Sequence, residues 1–415
     1  MSIKNFMPRT FILGLAVTAV SACGNSTAAE APKTAQDTVV KHASDVKAVG
    51  APSKGWGRVD AAPINYKIET IAENIDHPWS LAFLPEGGML VTERGGLLKH
   101  ITDDGQVSLV QDFADIDGAP VHTKTRGQAG LFDIVLHPDF NTNRQLFISY
   151  AAKTSPKLNT LVVRRFTYKG GELDAGTQIF AANPPRKESH HYGGRMIIKD
   201  GALMIPHGEA YNKRDQAQTL DNHFGKILRV NLDGSIPQDN PFLGQKDALP
   251  EIWSYGHRNP QGLIIGADGN IYSNEHGPKG GDEINLIEPG VNYGWPAATY
   301  GIDYSGAAIS PFQTLDGMRQ SLAHFVPSIA PSGMAQYQGE AFPDLQGDFL
   351  LPALALRHVR HVEVNGDGSL GGQSEMFGEL GARFRDVEIG PDGYIYLLIE
   401  EKTGPNGKIV RAVPK

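Results

Sequence analysis

The chain of 415 residues contains a single cysteine, Cys23, and fewer basic than acidic residues. One cysteine excludes an intramolecular disulfide and a zinc site built on cysteines. The 38 Lys and Arg residues against 46 Asp and Glu give a formal net charge of −8, whereas a nucleic-acid-binding domain carries a basic surface. We therefore expect no nucleic-acid partner.

The sequence also lacks a hydrophobic run long enough to cross a membrane as a permanent helix. Its apolar N-terminal stretch, Phe11–Val20, is short and follows the basic residues Lys4 and Arg9, which is the pattern of an export signal. The next letters, VSAC, resemble the lipobox of bacterial lipoproteins. This predicts a signal peptide over residues 1–22 and acylation of Cys23; an ordinary secretory peptide cleaved nearby is the alternative.

Export and a lipid on Cys23 together predict a periplasmic protein that touches the membrane only through its lipid anchor. Gly24 rather than an aspartate follows Cys23, and in a Gram-negative host this favours the outer membrane. Residues 23–65 are rich in small and polar residues and contain almost no large apolar ones. Such a composition cannot bury a core, so we predict a flexible tether over 23–65 and a catalytic domain over 66–415.

Glycine and proline are abundant, at 48 and 27 residues, which favours many turns and few long helices. A turn containing Asp, Gly or Pro is followed by a short apolar strand six times, with starting positions 53, 61, 68, 76 and 48 residues apart. The copies are PEGGMLVTE at Pro85, PDFNTNRQLFISYA at Pro138, KDGALMIPHGE at Lys199, ADGNIYSNEHG at Ala267, PDLQGDFLLPAL at Pro343 and PDGYIYLLIEE at Pro391.

Six units of several strands each predict an all-β fold, a six-bladed β-propeller of four-stranded antiparallel blades. A helical solenoid would show apolar residues at helical spacing, and a β-sandwich would not need six similar hairpins. A propeller gathers loops around one end of its central channel. The polar residues of these loops are therefore the candidates for chemistry.

Several loops carry such residues, and each alone also fits a solvated loop, a turn or a polar strand face. Together, three arginines in an acidic protein favour an anionic guest with carboxylates or phosphates. A Gly-Pro turn beside carboxylates offers the oxygens that calcium prefers, and a histidine supplies a base near neutral pH. The residues are Gln128, His190, His191, Arg258, Asn259, Asp282, Glu283, Arg383 and Arg385.

Side-chain alternation on strands refines two of these pairs. His190 and His191 are neighbours and would point to opposite faces of an extended strand, so one of them is expected to face something that the other does not. Arg383 and Arg385 are two residues apart and would lie on the same face.

Seven motifs in order resemble the soluble aldose sugar dehydrogenases of the glucose/sorbosone type, which use pyrroloquinoline quinone (PQQ). The resemblance runs from about Ile71 to the C-terminus and spans all six proposed blades. Ordered matches over this length are more specific than any one motif. The motifs are GQAGLFDIVLHPDF, HHYGGR, LDNHFGKILRVNLDGSIPQDNPF, GHRNPQGL, GPKGGDEINLI followed by NYGWP, PSIAPSG and RFRDV.

The resemblance implies an oxidoreductase that converts the C1 hydroxyl of an aldose to the lactone, with hydride transfer to PQQ. His191 matches the general base of the family. Arg258 matches a residue at the reacting edge of the cofactor, where it stabilises developing charge. The cofactor-binding positions of the family are matched by Gln128, Arg258, Asn259, Arg383 and Arg385.

The family also binds calcium as a second cofactor. The carbonyl groups of Gly277 and Pro278 match ligands of the calcium that polarises the quinone, and Glu283 and Tyr293 match positions that hold additional calcium in some members. Glu209 falls where a family aspartate orients the catalytic imidazole.

The sequence departs from the family at several site positions. His190 replaces an aspartate, and Val326 replaces the tryptophan that covers the cofactor in one branch. Ala355 stands where some members have a lysine, with Arg357 two residues on as a candidate substitute. These departures leave the sugar and the strength of cofactor binding open. The electron acceptor, a cytochrome or a quinone, is also open.

Two other functions remain compatible with a propeller. The first is a non-catalytic, lipid-anchored binding or sensor protein, which the changes at Ala355 and Val326 favour. The second is a calcium-dependent, lactonase-like hydrolase, although such a site has little need of three arginines.

Overall fold

The structure is a computed structural model that describes residues 53–60, 64–124, 127–400 and 406–415. The predicted signal peptide, Cys23 and the first part of the predicted tether lie outside these ranges. Among the described residues, no helix is long and apolar enough to cross a membrane.

The described residues form strands almost throughout. The first thirteen are β1 (Lys54–Trp56), β2 (Tyr66–Ile75), β3 (Pro78–Phe83), β4 (Met89–Glu93), β5 (Leu97–Ile101), β6 (Val107–Asp112), β7 (Leu131–Leu136), β8 (Gln145–Lys153), β9 (Asn159–Lys169), β10 (Glu172–Leu173), β11 (Thr177–Ala181), β12 (Ile197–Lys199) and β13 (Ala202–His207). The others are β14 (Lys226–Asn231), β15 (Ile252–Tyr255), β16 (Pro260–Ile265), β17 (Ile271–Glu275), β18 (Asp282–Ile287), β19 (Ala323–Phe325), β20 (Ala335–Gln336), β21 (Phe349–Pro352), β22 (Val359–Val364), β23 (Leu370–Met376), β24 (Arg383–Ile389), β25 (Ile395–Glu400) and β26 (Gly407–Pro414).

Helical structure in the described part of the chain is confined to short turns. They are the α-helical turn α1 (Phe140–Asn143) and the 3₁₀ turns Phe113–Asp115, Arg214–Gln218, Pro343–Leu345 and Gly378–Leu380.

The strands make six sheets arranged in a ring, which confirms the predicted six-bladed propeller. Blade 1 is β3–β6, blade 3 is β12–β15 and blade 5 is β20–β23. Blade 2 is β7–β8–β9, with both β10 and β11 paired to β9, and blade 4 is β16–β19 with β1 added at its edge. Blade 6 combines β24, β25 and β26 with β2 from the other end of the chain.

The two ends of the propeller domain are joined inside blade 6. β2 pairs antiparallel with β26, from Tyr66 opposite Pro414 to Ile75 opposite Gly407. This pairing joins the first and last strands of the propeller in one sheet and so closes the ring of blades.

The six repeats predicted from the sequence are the second strands of the six blades: β4, β8, β13, β17, β21 and β25. In three of them the preceding Asp-Gly turn places its glycine in the left-handed region, with φ of 73° at Gly201, 79° at Gly269 and 77° at Gly393. Glycine adopts this conformation without steric cost. The turn residues therefore determine where each hairpin reverses.

Strand β1 lies N-terminal of the predicted domain boundary at Tyr66. It pairs parallel with β19, Lys54 opposite Ala323 and Trp56 opposite Phe325, and makes blade 4 five-stranded. Residues 54–56 therefore belong to the folded sheet and not to a flexible tether.

The hydrophobic core lies between neighbouring blades rather than on the axis. Phe132 of blade 2 packs in one cluster with Leu203 of blade 3, for example, and Ile284 of blade 4 packs in another with Leu351 of blade 5. The axis is polar: the guanidinium of Arg195 bonds Asp133 at 3.2 Å and Asp386 at 2.8 Å. This layer divides the channel, and the predicted site residues lie on the side where the innermost strands begin.

Candidate active site

A cavity of about 320 Å³ opens at the end of the channel where the innermost strands begin. Its size is in the range of small-molecule sites, about 300–1,000 Å³. Its polar walls come from several blades and contain three arginines. The lining residues that carry polar side chains are Arg94, Gln128, His190, Gln261, His276, Arg383 and Arg385, beside Trp79 and Tyr192.

Three arginines of the cavity share one buried carboxylate, Glu400 at the end of β25. Its oxygens lie 3.4 Å from Arg94 Nη1, 3.2 Å from Arg383 Nη2 and 3.1 Å from Arg385 Nη2. Burial opposes ionisation of Glu400, but the charges of Arg385, Arg94 and Arg383 outweigh it and lower the pKa of its carboxyl to about 2. One negative charge thus faces three positive ones, and the cavity wall keeps an excess of two positive charges.

This arrangement confirms that Arg383 and Arg385 lie on the same side of their strand, because both bond Glu400. The third arginine, Arg94, was not singled out in the sequence, although it directly follows the repeat PEGGMLVTE. Arg357, the expected substitute for the family lysine, does not line the cavity and instead donates to the carbonyl of Gly381 at 2.9 Å. Ala355 does line it, so Arg94 and not Arg357 adds positive charge there.

The paired histidines lie in a loop and not on a strand, which corrects the geometry assumed for them. His191 has a left-handed backbone, with φ of 56°, so the two side chains separate by a local turn rather than by strand alternation. His190 is exposed and lines the cavity, whereas His191 is 5% exposed. The side-chain carbonyl of Gln128 accepts the backbone N–H of His191 at 2.6 Å and holds the turn in place.

The His191 imidazole is held by Glu209. Nδ1 lies 3.1 Å from Glu209 Oε1, and the ring of Tyr211 packs edge-on at 5.4 Å. Burial, with the charges of Arg258 and Arg186 nearby, holds the pKa of His191 well below 6.5. Burial also raises the pKa of Glu209 to about 7, against the opposing charge of Arg258. A neutral imidazole with Nδ1 engaged leaves Nε2 as the nitrogen that can accept a proton.

Arg258 is placed by the loop that leads into β16. Its backbone N–H donates to Glu275 Oε2 at 2.6 Å, and its Nη1 donates to the carbonyls of His276 at 3.0 Å and Gly277 at 2.7 Å. The guanidinium also lies 5.2 Å from the Trp295 ring. Arg258 lines the hollows next to the main cavity rather than the cavity that holds Arg383 and Arg385.

Asn259 connects this loop to the histidine loop. It is fully buried, and its Oδ1 accepts the backbone N–H of Gly193 at 3.2 Å. Its Nδ2 has no hydrogen-bond partner in the described part of the chain, and neither does Nε of the buried Arg385. Buried donors without partners are costly. Arg385 lines the cavity, so its Nε is a candidate donor to a guest there, whereas Asn259 is not among the residues that line this cavity.

The predicted calcium ligands are brought together only in part. Pro278 shares a hollow with Glu209 and Arg258, and Gly277 lines an adjacent one with Glu283 and Tyr293. Burial and the nearby charge of Glu275 raise the pKa of Glu283 to about 8.

The Tyr293 hydroxyl is not available to a metal in this arrangement. It donates to the carbonyl of Leu286 at 2.6 Å and accepts from the N–H of Glu288 at 2.9 Å. Across residues 53–60, 64–124, 127–400 and 406–415, no group of three His, Cys, Asp or Glu side chains is arranged to hold a metal ion.

Asp282, the other carboxylate of this loop, organises the backbone instead. Its Oδ1 accepts from the N–H of Gly277 at 2.8 Å, while its Oδ2 accepts from Ser328 at 2.6 Å and from the N–H groups of Ile329 and Ala330 at 2.7 and 2.8 Å. It thereby ties the Gly-Pro turn to the loop that contributes Ala330 to the cavity wall.

Comparison with known proteins shows the family to which the chain belongs. The glucose/sorbosone dehydrogenase family model matches residues 75–411. The chain belongs to this family. It is thus an oxidoreductase of the sugar dehydrogenase type, as the motifs predicted, and the comparison favours neither the binding-protein nor the hydrolase alternative.

Individual relatives match nearly the whole propeller. The chain is 40% identical to the aldose sugar dehydrogenase YliI of Escherichia coli over 83% of this chain and 92% of that protein, and 32% identical to the quinoprotein glucose dehydrogenase B of Acinetobacter calcoaceticus over 82% and 86%. The apo crystal structure of the Escherichia coli enzyme matches with a TM-score of 0.78 and 37% identity over 84% of this chain and 100% of that chain. The PQQ-bound aldose sugar dehydrogenase of Streptomyces coelicolor matches with a TM-score of 0.67 and 26% identity over 86% and 100%.

Proposed function

We propose that this chain is a PQQ-dependent dehydrogenase that oxidises the C1 hydroxyl of aldose sugars to the lactone, with His191 as the general base. The observation that carries the proposal is the buried, neutral imidazole of His191, held by Glu209 beside a cavity in which three arginines share one carboxylate. A base and an anion-binding cavity side by side are what sugar oxidation by an anionic cofactor requires.

His191 acts on the sugar through Nε2, because Nδ1 is directed at Glu209. Nε2 takes the proton of the C1 hydroxyl while the hydrogen on C1 leaves with its electron pair. Glu209 stabilises the imidazolium that forms and fixes the orientation of the ring. A positioned base of this kind contributes a factor of about 10²–10⁴ to the rate.

The cavity fits an anionic, planar cofactor such as PQQ. Arg94, Arg383 and Arg385 offer two positive charges in excess of Glu400, and guanidinium groups pair with carboxylates through two parallel hydrogen bonds. The unpartnered Nε of Arg385 is a donor for the guest, and Asn259, whose Nδ2 is also unpartnered, supports the guest's site by holding Gly193 of the cavity wall. When bound, the quinone supplies the two-electron acceptor for the hydride from C1, and a relative in the family has been crystallised in its PQQ-bound form.

Gln128 and Arg258 support the reacting groups. Gln128 holds the His191 turn through the backbone, so its loss would displace the base. Arg258 has its guanidinium fixed by the carbonyls of His276 and Gly277, near the imidazole. This preorganised positive charge is suited to stabilise negative charge that develops during the reaction.

For calcium, the chain offers the carbonyl groups of Gly277 and Pro278. Calcium takes about six to eight oxygen ligands, and Gly277 O already accepts a hydrogen bond from Arg258. Were calcium bound here, the carbonyls of Gly277 and Pro278 would supply two of these ligands, and the ion would polarise the bound quinone. Glu283, which lines the adjacent hollow with Gly277, is the remaining candidate for a further ion.

The location belongs to the same proposal. The N-terminal sequence supports export and lipid attachment at Cys23, which would leave the propeller in the periplasm on the outer membrane. The reduced cofactor then needs a cytochrome or a quinone as electron acceptor. Radiolabelled palmitate on the wild-type chain, and its absence in Cys23→Ser, would test the anchor.

The proposed reaction is tested by expressing residues from Ser26 onward and adding calcium, PQQ and a panel of aldoses with a redox dye. Dye reduction that requires both PQQ and an aldose is expected. His191→Ala should retain the spectral change of quinone binding but lose turnover by about 10²-fold or more. No activity and no spectral sign of bound quinone would instead favour a binding protein.

A further inference from the structure

A second cavity lies in the far half of the central channel, beyond the Arg195 layer as seen from the candidate active site. Its volume is about 450 Å³, which is in the range of small-molecule sites. The change from one cavity to the other is visible along β24, where Arg383 and Arg385 line the active-site cavity and Glu388 and Ile389 line the far one. None of the residues assigned to the proposed reaction lines the far cavity.

The walls of the far cavity are aliphatic. The innermost strand of every blade contributes at least one apolar residue, and at the mouth Ile265 is 40% exposed. An apolar surface that solvent reaches inside a cavity is suited to the nonpolar part of a ligand. One such residue from each blade, in blade order, is Leu81, Ile134, Ile197, Ile264, Ala335 and Ile389.

The floor of the far cavity is acidic. Arg195 and Asp133 line it, and Nη1 of Arg195 bonds Asp133 at 3.2 Å and Asp386 at 2.8 Å. Glu388 also lines the cavity, and no Lys, Arg or His in the described part of the chain forms an ion pair with it. Three carboxylates therefore share one guanidinium, which leaves an excess of two negative charges when all three are ionised.

Two groups of this floor lack partners. Arg195 is only 6% exposed, and its Nη2 has no hydrogen-bond partner among the described residues. The protein around the Glu388 carboxyl leaves it little water, and together with the charges of Asp386 and Asp133 this raises its pKa well above the usual range, against the opposing charge of Arg195. Buried polar groups are normally satisfied, so an orphaned donor beside a carboxyl without a counter-charge indicates a floor that a guest completes.

We propose that the far cavity binds an aliphatic amine, with its ammonium group at Glu388 and its alkyl chain along the aliphatic walls. The excess negative charge favours a cation over an anion or a neutral alcohol. The walls favour an alkyl chain, whose burial from water stabilises the complex. Water that hydrates the ammonium group supplies an acceptor for Nη2 of Arg195.

Isothermal titration calorimetry on the full chain, with no cofactor added, tests this with n-hexylamine, n-hexanol and methylamine at pH 8. One hexylammonium should bind per chain. Hexanol has the chain without the charge and methylammonium has the charge without the chain, so each should bind at least about tenfold more weakly. Hexanol that binds as tightly as hexylamine, or hexylamine that does not bind, would refute the site.

Glu388→Gln removes the charge but keeps the shape of the side chain, and it should weaken hexylamine binding by about tenfold or more. Glu73→Gln is the matched control, because Glu73 is an exposed carboxylate on β2 of the same blade and does not line the cavity. It should bind hexylamine as wild type does. Equal affinities in Glu388→Gln and wild type would contradict the proposal.

A measurement on the wild-type chain keeps the test independent of any effect of Glu388→Gln on folding. An ammonium guest favours the ionised carboxyl, and Asp386, Asp133 and Arg195 are the other charged groups that act on it. Hexylamine binding should therefore release protons from the chain and become tighter from pH 6 to pH 8.5. Titrations in two buffers of different ionisation enthalpy count the protons, and an affinity that does not rise with pH would refute the role of Glu388. Because no cofactor is present, none of these outcomes depends on the proposed reaction.

Discussion

Glu209 bonds His191 through one carboxylate oxygen, Oε1 at 3.1 Å from Nδ1, while its other oxygen, Oε2, is buried without a hydrogen-bond partner. A carboxylate in this position is poorly solvated, and burial raises its pKa to about 7. The imidazole is shifted in the opposite sense, because burial and two neighbouring arginines disfavour its protonated form. Near neutral pH, protonation is therefore a property of the Glu209–His191 pair and not of His191 alone.

The first prediction follows from this pair and concerns the pH dependence of kcat/KM. As pH falls through about 7, Glu209 takes up a proton and no longer stabilises the imidazolium that forms in the reaction. We expect kcat/KM to fall with it. In Glu209→Gln the side chain cannot ionise, so kcat/KM should be lower at pH 8 by about 10²-fold and should lose its inflection near pH 7.

The measurement is kcat/KM from pH 5.5 to 9 for wild type and Glu209→Gln, with quinone occupancy checked by absorbance at each pH. Glu251→Gln is a suitable control, since Glu251 is a half-buried carboxylate that lies beside His223, another histidine. An unchanged inflection in Glu209→Gln would show that Glu209 does not control the base.

Much of the fold could be predicted because its signals are local. Each of the six Asp-, Gly- or Pro-containing turns is followed by an apolar strand, and turn chemistry and strand character are both set by adjacent residues. The pairing of β2 with β26 and of β1 with β19 could not be predicted from such local signals. Such pairings join segments that are far apart in the chain, and no adjacent residues encode them.

Only those candidate site residues that lie in recognisable sequence motifs could be predicted. The motifs singled out His191, Arg258, Asn259, Arg383 and Arg385 as candidates, of which Arg383 and Arg385 line the main cavity. They gave no sign of the left-handed turn at His191. Arg94 was missed because its partner, Glu400, is 306 residues away, and neither residue stands out until the last blade brings them together. The prediction that Arg357 replaces the family lysine was wrong. Arg357 is close to Ala355 in the sequence, but its side chain does not reach the cavity.

The second prediction concerns the contribution of Glu400 to stability. Its folded pKa of about 2 lies below the unfolded value of about 4.3, so its ionisation stabilises the folded state above pH 4.3 by roughly 3 kcal/mol. That stabilisation is lost as pH falls from about 4 towards 2. Glu400→Gln also leaves three arginines without their counter-charge, and we expect the free energy of unfolding at pH 7 to fall by about 3–5 kcal/mol.

Urea denaturation at pH 7 and at pH 3.5, with no cofactor added, measures this effect. The difference between wild type and Glu400→Gln should be smaller at pH 3.5 than at pH 7. Equal differences at the two pH values would mean that the charge of Glu400 is not what stabilises the fold.

The third prediction is that Arg94 binds the cofactor alongside Arg383 and Arg385. Arg94→Ala should weaken PQQ binding by about tenfold or more, and Arg383→Ala with Arg385→Ala should weaken it further, because each removes a charge from the cavity wall. Calcium binding should change less than quinone binding. Arg411→Ala is the control, since Arg411 on β26 pairs with Glu69 of β2 and with Asp392 of the turn between β24 and β25, and does not line the cavity.

Fluorescence titration with PQQ, at fixed calcium, gives these affinities without turnover. If Arg94→Ala binds PQQ as tightly as Arg411→Ala does, Arg94 serves only to neutralise Glu400. Weaker calcium binding with intact quinone binding would contradict the assignment of this cavity to the carboxylates of the cofactor.

The last prediction tests how tightly the base must be positioned. A Cβ atom at Gly208 would lie 2.6 Å from the carbonyl oxygen of His191 and 2.8 Å from Oδ1 of Asn259, closer than atoms can approach, so Gly208→Ala must move the histidine loop or the asparagine that supports it. Displacements of about 1 Å at a catalytic group can cost about 10²-fold in rate. We expect kcat to fall by that order while the thermal unfolding temperature changes little, and Gly366→Ala, in an exposed turn where a Cβ meets no atom within 4 Å, to retain wild-type kcat. Because both substitutions add the same methyl group, a wild-type kcat in Gly208→Ala would show that the position of His191 tolerates this displacement, and the orienting contacts from Gln128, Asn259 and Glu209 would then lose their proposed importance.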